Sequence, residues 1–325
     1  FMRNWKKTAA ARLLVFAAVT GILFFRNGFS IRKETGDTSG FPDAQAMLII
    51  TTEANRYRTV YTDQIWQVQV GEEESFQLYL LEQIRTFLKE VKTMNLLADE
   101  RGIQLTGQEK EQLRQLSSEF YQSLTEADRE CIGASEEDVY AMYEAYHRAN
   151  RLVDEVTKNV DLEISDSEAR VMKVQELCLE TEESAQEAFQ QLSEEGTNFS
   201  SVARAIREEG YKEESVGRGE RSAAYETAVF SLEDGQLSQP FADGDSWYLV
   251  KCEDSYDEDA TLERKERLAL QRKNQAFRRI YDTFAGEHPV EIQGSIWENV
   301  DLTEMGQSTT VDFFERYQEY MSQKK

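Results

Sequence analysis

The side chains able to hold a metal or act on a substrate are few and scattered. Two histidines, His147 and His288, lie far apart in the sequence, which argues against a zinc site. Three cysteines, Cys131, Cys178 and Cys252, are an odd number for an exported chain. Cys178 and Cys252 fall on apolar strand patterns and read as small core residues rather than a bridge. No glycine-rich phosphate loop is present, and neither metal nor cofactor is expected.

Charge narrows the partners. Residues 1–33 carry seven basic side chains and no acid; with a net charge of −24 for all 325 residues, the remainder stands near −31. Such a field repels nucleic acid, whose binding requires neutralised phosphates, so DNA and RNA are set aside. The basic head flanks the apolar run 13–25 (LLVFAAVTGILFF), extended by 9–11, with Arg12 snorkelling to the interface. No Ala-x-Ala-like cleavage site closes the run and no Cys follows it, which disfavours cleavage and a lipid anchor. Residues 1–28 therefore read as an N-terminal membrane anchor or signal segment, the uncleaved anchor being favoured over a cleaved signal peptide, touching the membrane through 9–25 with Lys6, Lys7 and Arg12 cytoplasmic. The bulk of the chain is expected outside the cytoplasm.

The elements that follow are helical. Residues 29–33 form a strand candidate, and a polar spacer runs to Gly40. Pro42 and Asp43 open a helix whose inner face takes Ala44, Leu48, Tyr57, Tyr61, Ile65 and Trp66. A second helix, about 73–101, repeats Phe76, Leu80, Ile84, Phe87, Leu88, Val91 and Met94 at helical spacing and stops at Gly102. Start signals recur at Thr106 with Glu109, Ser135 with Asp138 and Ser165 with Glu168. Residues 29–171 thus read as an all-helical domain.

At Val174 the period changes. A strand 174–179, a helix 181–194, a helix capped by Asn198, a strand-to-turn element 216–220 and a helix 223–230 lead into FSLEDGQLSQPFADGDSWYLVKC, residues 230–252. In that stretch a helix end meets the Glu233-to-Gly235 turn, then a short strand at Leu237 and Ser238, a loop, and a buried strand 247–252. Residues 256–325 bring a long basic helix (257–286, with Arg264, Lys265, Arg267 and Arg272), a strand candidate 290–293, and the aromatic cluster Phe313, Phe314, Tyr317 and Tyr320 beside Trp297. Basic density in an acidic chain reads as a solvated or salt-bridged face, or as a face docked on the acidic helices.

Residues 230–252 resemble the C-terminal half of a parvulin-type peptidyl-prolyl isomerase domain, in which Phe-x-Leu-x-x-Gly-x-(Ile/Val/Leu)-Ser precedes a strand of the type Gly-Tyr-His-Ile-Ile-Lys. Anchor, helical domain, an Ile-Ser-Asp-x-Glu segment at 164–168 and a parvulin-like unit, in that order, resemble the PrsA/SurA class of extracytoplasmic foldases. The resemblance implies an α+β architecture. An inserted parvulin-like domain at 172–255, a small four-stranded antiparallel sheet with helices, follows the helical domain, and residues 256–325 return to complete that domain.

It also implies a site. Parvulins place two histidines on adjacent strands behind a proline pocket, with an Asp or Cys nearby and Met/Leu and Phe gripping the ring. Carried over by position, the histidines become Glu176 and Tyr248, and the acid falls nearest Glu209. The pocket Met becomes Arg221, its first Phe becomes Tyr225, and Phe230 is kept. Glu176 and Tyr248 can pair as carboxylate and phenol. Arg221 is expected to swing to solvent or pair with Glu209.

The implied function is a membrane-anchored folding factor of peptidyl-prolyl isomerase type acting on exported polypeptides, with weak or lost isomerase activity. The alternative is a non-catalytic holdase or secretion-associated scaffold using the parvulin fold to bind peptides. Isomerisation needs no obligatory proton transfer, so an apolar grip alone leaves some catalysis open. On the residues alone, the aromatic stripes read as packed core before client groove.

Overall fold

The structure, a computed structural model, describes residues 40–70 and 75–323. The expected anchor, the strand at 29–33 and the start of the second helix at 73 lie outside the described residues. Two compact units form, one from the chain up to Asn159 together with Ala276 onward, the other from Val160–Gln275.

The first unit is helical: α1 (Asp43–Arg58), α2 (Phe76–Glu100), α3 (Gly107–Ser123), α4 (Glu126–Ile132) and α5 (Glu136–Thr157). Reciprocal capping boxes open α3 at Thr106, α4 at Thr125 and α5 at Ser135, satisfying amides that a helix start leaves bare. α1 stops at Arg58 because the β-branched and aromatic run from Thr59 loses rotamer freedom in a helix. Tyr61, expected on an inner face, is instead exposed, while Trp66 is buried from a short 3₁₀ turn, Asp63–Gln67. Ile84, Phe87, Leu88, Val91 and Met94 of α2 form the core with Phe120, Met142, Tyr143 and Tyr146.

The C-terminal residues complete this core. α12 (Phe313–Gln323) lays Phe313 flat on Tyr143, with ring centres 4.1 Å apart, and sets Phe314 edge-on to Phe87 at 5.6 Å. The segment ahead of it is tied by polar groups. Asn55 donates to the Thr310 carbonyl at 3.1 Å, and Asp128 accepts from the amides of Thr309 (2.6 Å) and Thr310 (3.0 Å). Residues 290–293 form no strand. Val290 and Ile292 are buried as irregular chain, and Arg85 Nε binds the Ile292 carbonyl at 2.9 Å in place of a ladder bond.

One buried acid makes this unit sensitive to pH. Glu53 is 4% exposed, 3.3 Å from Arg56, which also reaches Glu315 at 3.4 Å. Burial raises the Glu53 carboxyl from 4.5 to about 7; Arg56 opposes this and Glu315 adds to it. A carboxyl raised on folding contributes stability fully below its ordinary value and loses it as pH climbs through the raised one. At about 1.4 kcal/mol per pH unit, the loss reaches roughly 3 kcal/mol above pH 7. Urea unfolding at pH 5 and pH 8 is therefore expected to show a drop in stability of that order in the native chain and little of it in Glu53→Gln. Equal drops in both would refute the assignment.

The second unit holds α6 (Asp166–Ala169), β1 (Val171–Leu179), α7 (Glu182–Leu192), α8 (Phe199–Arg207), β2 (Tyr211–Gly217), α9 (Ala223–Val229), β3 (Phe241–Asp243), β4 (Ser246–Asp254) and the start of α10 (Glu258–Glu287). The strands form one antiparallel sheet in the order β2-β1-β4-β3. Alternation along β1 gives it two faces. Leu177 and Leu179, with Leu249 and Tyr211, pack against Ala185, Ala188, Phe199 and Ala203 of α7 and α8. Met172 and Val174, with Val216, Val250 and Cys252, pack against Tyr225, Val229 and Phe230 at α9.

Two strands differ from expectation. β2 begins at Tyr211, five residues before its apolar end, because Lys212, Glu213 and Glu214 are the charges of a sheet edge. The strand expected at Leu237 and Ser238 is only a bridge from Leu237 to Lys251; Pro240, lacking an amide, interrupts it, and pairing resumes at β3. A two-residue loop then joins β3 to β4, with Gly244 at φ 62° as such a hairpin requires. On α10 the basic side chains are salt-bridged, Lys265 to Asp166 and Arg272 to Glu168. α11 (Ile296–Asn299) belongs to the first unit.

Candidate functional site

The sheet face beneath α9 gathers the polar groups. Glu176 lies on β1 in register with Lys212 and Val250, and Cys178 faces Tyr248 one pleat further along. Ser222 caps α9 by accepting from the Tyr225 amide at 3.1 Å, which puts the Tyr225 ring in the first turn and against the sheet. The Tyr225 hydroxyl donates to Glu176 Oε2 at 2.8 Å. The phenol that reaches Glu176 is thus that of Tyr225 rather than the expected Tyr248.

Arg221 enters from the turn before α9. It pairs with Glu214 of β2, not with Glu209, stands 3.9 Å from Glu176 and lies over the Tyr225 ring at 5.1 Å. Glu176 is 1% exposed. Burial raises its carboxyl, and so does Glu214, while the Tyr225 hydroxyl and Arg221 pull it down; the net displacement is upward. Tyr225 is likewise raised, first by burial and then by Glu176. This is a closed set of mutually satisfied groups: one carboxyl, one phenol, one guanidinium and a second carboxylate.

Tyr248 sits at the open side. Its ring stacks on Phe241 at 5.9 Å and stands 6.1 Å edge-on from Tyr225, and both Phe241 and Tyr248 are half-buried. Burial, then a hydrogen bond with Cys178, pushes its hydroxyl up to about 12. The stacked pair is an aromatic shelf that a proline ring or other flat apolar group can lie on. Phe230, at the C-terminal end of α9, is buried in the core between that helix and the sheet, with the Arg218 guanidinium 4.9 Å from its ring.

Glu209 stands apart. It lies in the three-residue turn Glu208–Gly210, with an exposed side chain paired to Arg207 at 3.3 Å. That connection is tight because a Cβ on Gly210 would meet the Cys178 carbonyl at 2.4 Å, so no loop rises there to carry an acid over the face. Of the six residues carried over, the structure brings together Glu176, Tyr225, Arg221 and Tyr248, buries Phe230 in the core at the end of α9 and leaves Glu209 out. Glu214, Cys178 and Phe241 are the members that position-matching missed. Among the described residues no cluster of three or more His, Cys, Asp or Glu is arranged to hold a metal ion.

The Tyr225–Glu176 bond is open to direct test. Tyr225→Phe keeps the ring and removes the donor, leaving a buried carboxyl short of a partner, which costs about 1–3 kcal/mol. Unfolding of the variant is expected to shift by that amount, with the Glu176 carboxyl displaced further upward in an NMR titration. An unmoved titration would show that the bond is not made.

The PPIC-type PPIase domain description matches residues 134–264, less than half the chain, starting before the sheet and ending in α10. Among solved structures, the peptidylprolyl isomerase PrsA from Bacillus cereus overlaps 76% of this chain and 96% of its own at 18% identity and a TM-score of 0.37. That from Bacillus anthracis covers 64% and 100% at 14% identity and 0.33. The foldase protein PrsA from Streptococcus pneumoniae covers 71% and 96% at 17% identity and 0.27. None of the curated proteins matches. The family match and the four-stranded antiparallel sheet coincide on the stretch that resembles a parvulin, so the chain carries a PPIC-type, parvulin peptidyl-prolyl isomerase domain.

Proposed function

We propose that the protein is a membrane-anchored, extracytoplasmic folding factor whose parvulin domain binds exported polypeptides with weak or lost isomerase activity. One observation carries the reading. Where the family resemblance implies imidazoles, this face has a buried Glu176 already satisfied by Tyr225 and flanked by the Arg221–Glu214 pair. Groups so engaged have little to offer a twisting amide, whose barrier of about 18–20 kcal/mol must be lowered by interactions stronger in the transition state. The Phe241–Tyr248 shelf remains available to a peptide. The same observation favours a non-catalytic holdase or secretion-associated scaffold where turnover is nil. Comparing Ala-Pro peptide turnover with suppression of a model client's aggregation separates the two.

The anchored location is supported by the basic-then-apolar run at 13–25. Among the described residues no helix is long and apolar enough to cross a membrane, and the run itself lies outside them. The chain is expected to stay in the membrane fraction after alkaline carbonate washing, and protease added outside is expected to digest residues beyond about 34. A mature protein beginning after Phe25 would contradict the anchor.

A further inference from the structure

Arg264 lies in the second turn of α10 with 6% of its surface exposed. All three of its nitrogens donate: Nη1 to the Glu168 carbonyl at 2.8 Å, Nη2 to the Arg218 carbonyl, and Nε to Glu220 Oε1 at 3.2 Å. The other oxygen of Glu220 accepts from the Gly217 amide at 3.0 Å. Arg264 and Glu220 therefore clasp the turn 217–220 from both sides. The fit requires glycine at 217, where a Cβ would stand 2.5 Å from Arg264 Nε and 2.8 Å from Glu220 Cδ. The next residue is Arg221, and Ser222 then caps the helix that carries Tyr225.

The clasp is separate from the seating of α10. The Val171 amide donates to Thr261 Oγ1 at 3.1 Å, the Asp257 amide donates to the Val171 carbonyl at 3.0 Å, and Lys173 pairs with Asp257 at 2.9 Å. Those bonds hold α10 to β1 without the guanidinium. The planar fork spends two donors, Nε and Nη2, on the turn and its third, Nη1, on the Glu168 carbonyl, a geometry that an ammonium group cannot reproduce.

We propose that Arg264 is a positioning residue for the peptide site: it sets the 217–220 turn so that Arg221 and Tyr225 meet Glu176, and the site loosens when the fork is broken although the sheet stays folded. The inference rests on the peptide-binding reading above.

The test uses the full chain carrying Arg264→Lys or Glu220→Gln, an Ala-Pro peptide as probe, an NMR titration of the Glu176 carboxyl and a urea unfolding curve. In Arg264→Lys the peptide dissociation constant is expected to rise about tenfold, the scale of one lost charge-assisted hydrogen bond. The Glu176 carboxyl is expected to titrate higher in the folded protein, because Tyr225 and Arg221, both of which lower it, are no longer held in place. Glu220→Gln, which keeps the side chain but weakens the clasp, is expected to move both readouts in the same direction by less, and it decides the matter if Arg264→Lys does not fold. A residue that merely held α10 on the sheet would lower the unfolding midpoint and leave the Glu176 titration unmoved; that result in both variants overturns the proposal. If the native chain binds no peptide, the peptide-binding reading fails, while the titration still decides whether Arg264 positions the site.

Discussion

Turnover of an Ala-Pro peptide by this chain is expected to stay within about tenfold of the uncatalysed rate, and Glu176→Ala and Tyr248→Phe are expected to leave it unchanged. Tenfold corresponds to about 1.4 kcal/mol off a barrier of 18–20, which is what an aromatic shelf without a polar network can supply. Glu176 is occupied by Tyr225, and Arg221 by Glu214. Glu176 cannot exchange partners with a substrate carbonyl without breaking its buried bond to Tyr225, and Arg221 cannot without leaving its half-exposed pair with Glu214. The Tyr248 hydroxyl, raised to about 12 by burial and then by Cys178, stays protonated at neutral pH. A coupled isomerase assay checks all three proteins. Fast turnover abolished by either substitution would mean that the carboxyl, the phenol and the guanidinium have assembled a chemistry of their own.

Asp128→Ala is expected to cost about 3–5 kcal/mol and to detach the C-terminal segment from the helical unit. Asp128 accepts from the Thr125 amide and hydroxyl with one oxygen and from the Thr309 and Thr310 amides with the other. Hydrogen bonds to a charged group are worth about 1.5–3 kcal/mol each and are not additive within one network. Burial pushes this carboxyl up, but those bonds outweigh it and hold it below the ordinary range. A depressed acid contributes stability above its unfolded value and loses it as pH falls through the folded one, so the native chain is expected to lose this contribution in strong acid. The variant has none to lose. Hydrogen exchange at residues 308–320 reads the detachment, and protection there equal to the native chain's would refute the role.

How much of this was legible in the sequence followed the range of the interactions. The capping pairs at Thr106 and Ser135 span three residues and stand in the structure as read, while at Ser165 only half the box forms: Ser165 accepts from the Glu168 amide, and the Glu168 carboxylate goes to Arg272. The helix after Asn198 and the strand read at 247–252, which runs Ser246–Asp254, are equally local. β2 was half-hidden, because an edge strand of Lys212, Glu213 and Glu214 carries no apolar alternation before Val216. Residues 290–293 have strand-like composition, yet the Ile292 carbonyl binds the Arg85 side chain rather than a neighbouring strand.

The site shows the same limit. Glu176 and Tyr248 could be found by position along two strands. That Tyr225 would be the partner depends on where α9 crosses the sheet, 49 residues away in the chain. Glu214 was invisible for a related reason: its place beside Arg221 follows from the β1–β2 register, which only the folded sheet sets. Glu209 looked apt as an acid after the second helix, but the chain turns into β2 in three residues there and faces it to solvent.

The most direct measurement is exchange spectroscopy on an Ala-Pro peptide labelled at proline, mixed with the full chain while the signals of Phe241, Tyr248 and Tyr225 are followed. Binding without catalysis predicts that those ring signals shift with peptide concentration while no cis–trans exchange peaks grow beyond the free peptide's. Exchange peaks that grow with protein and vanish in Glu176→Ala would contradict it.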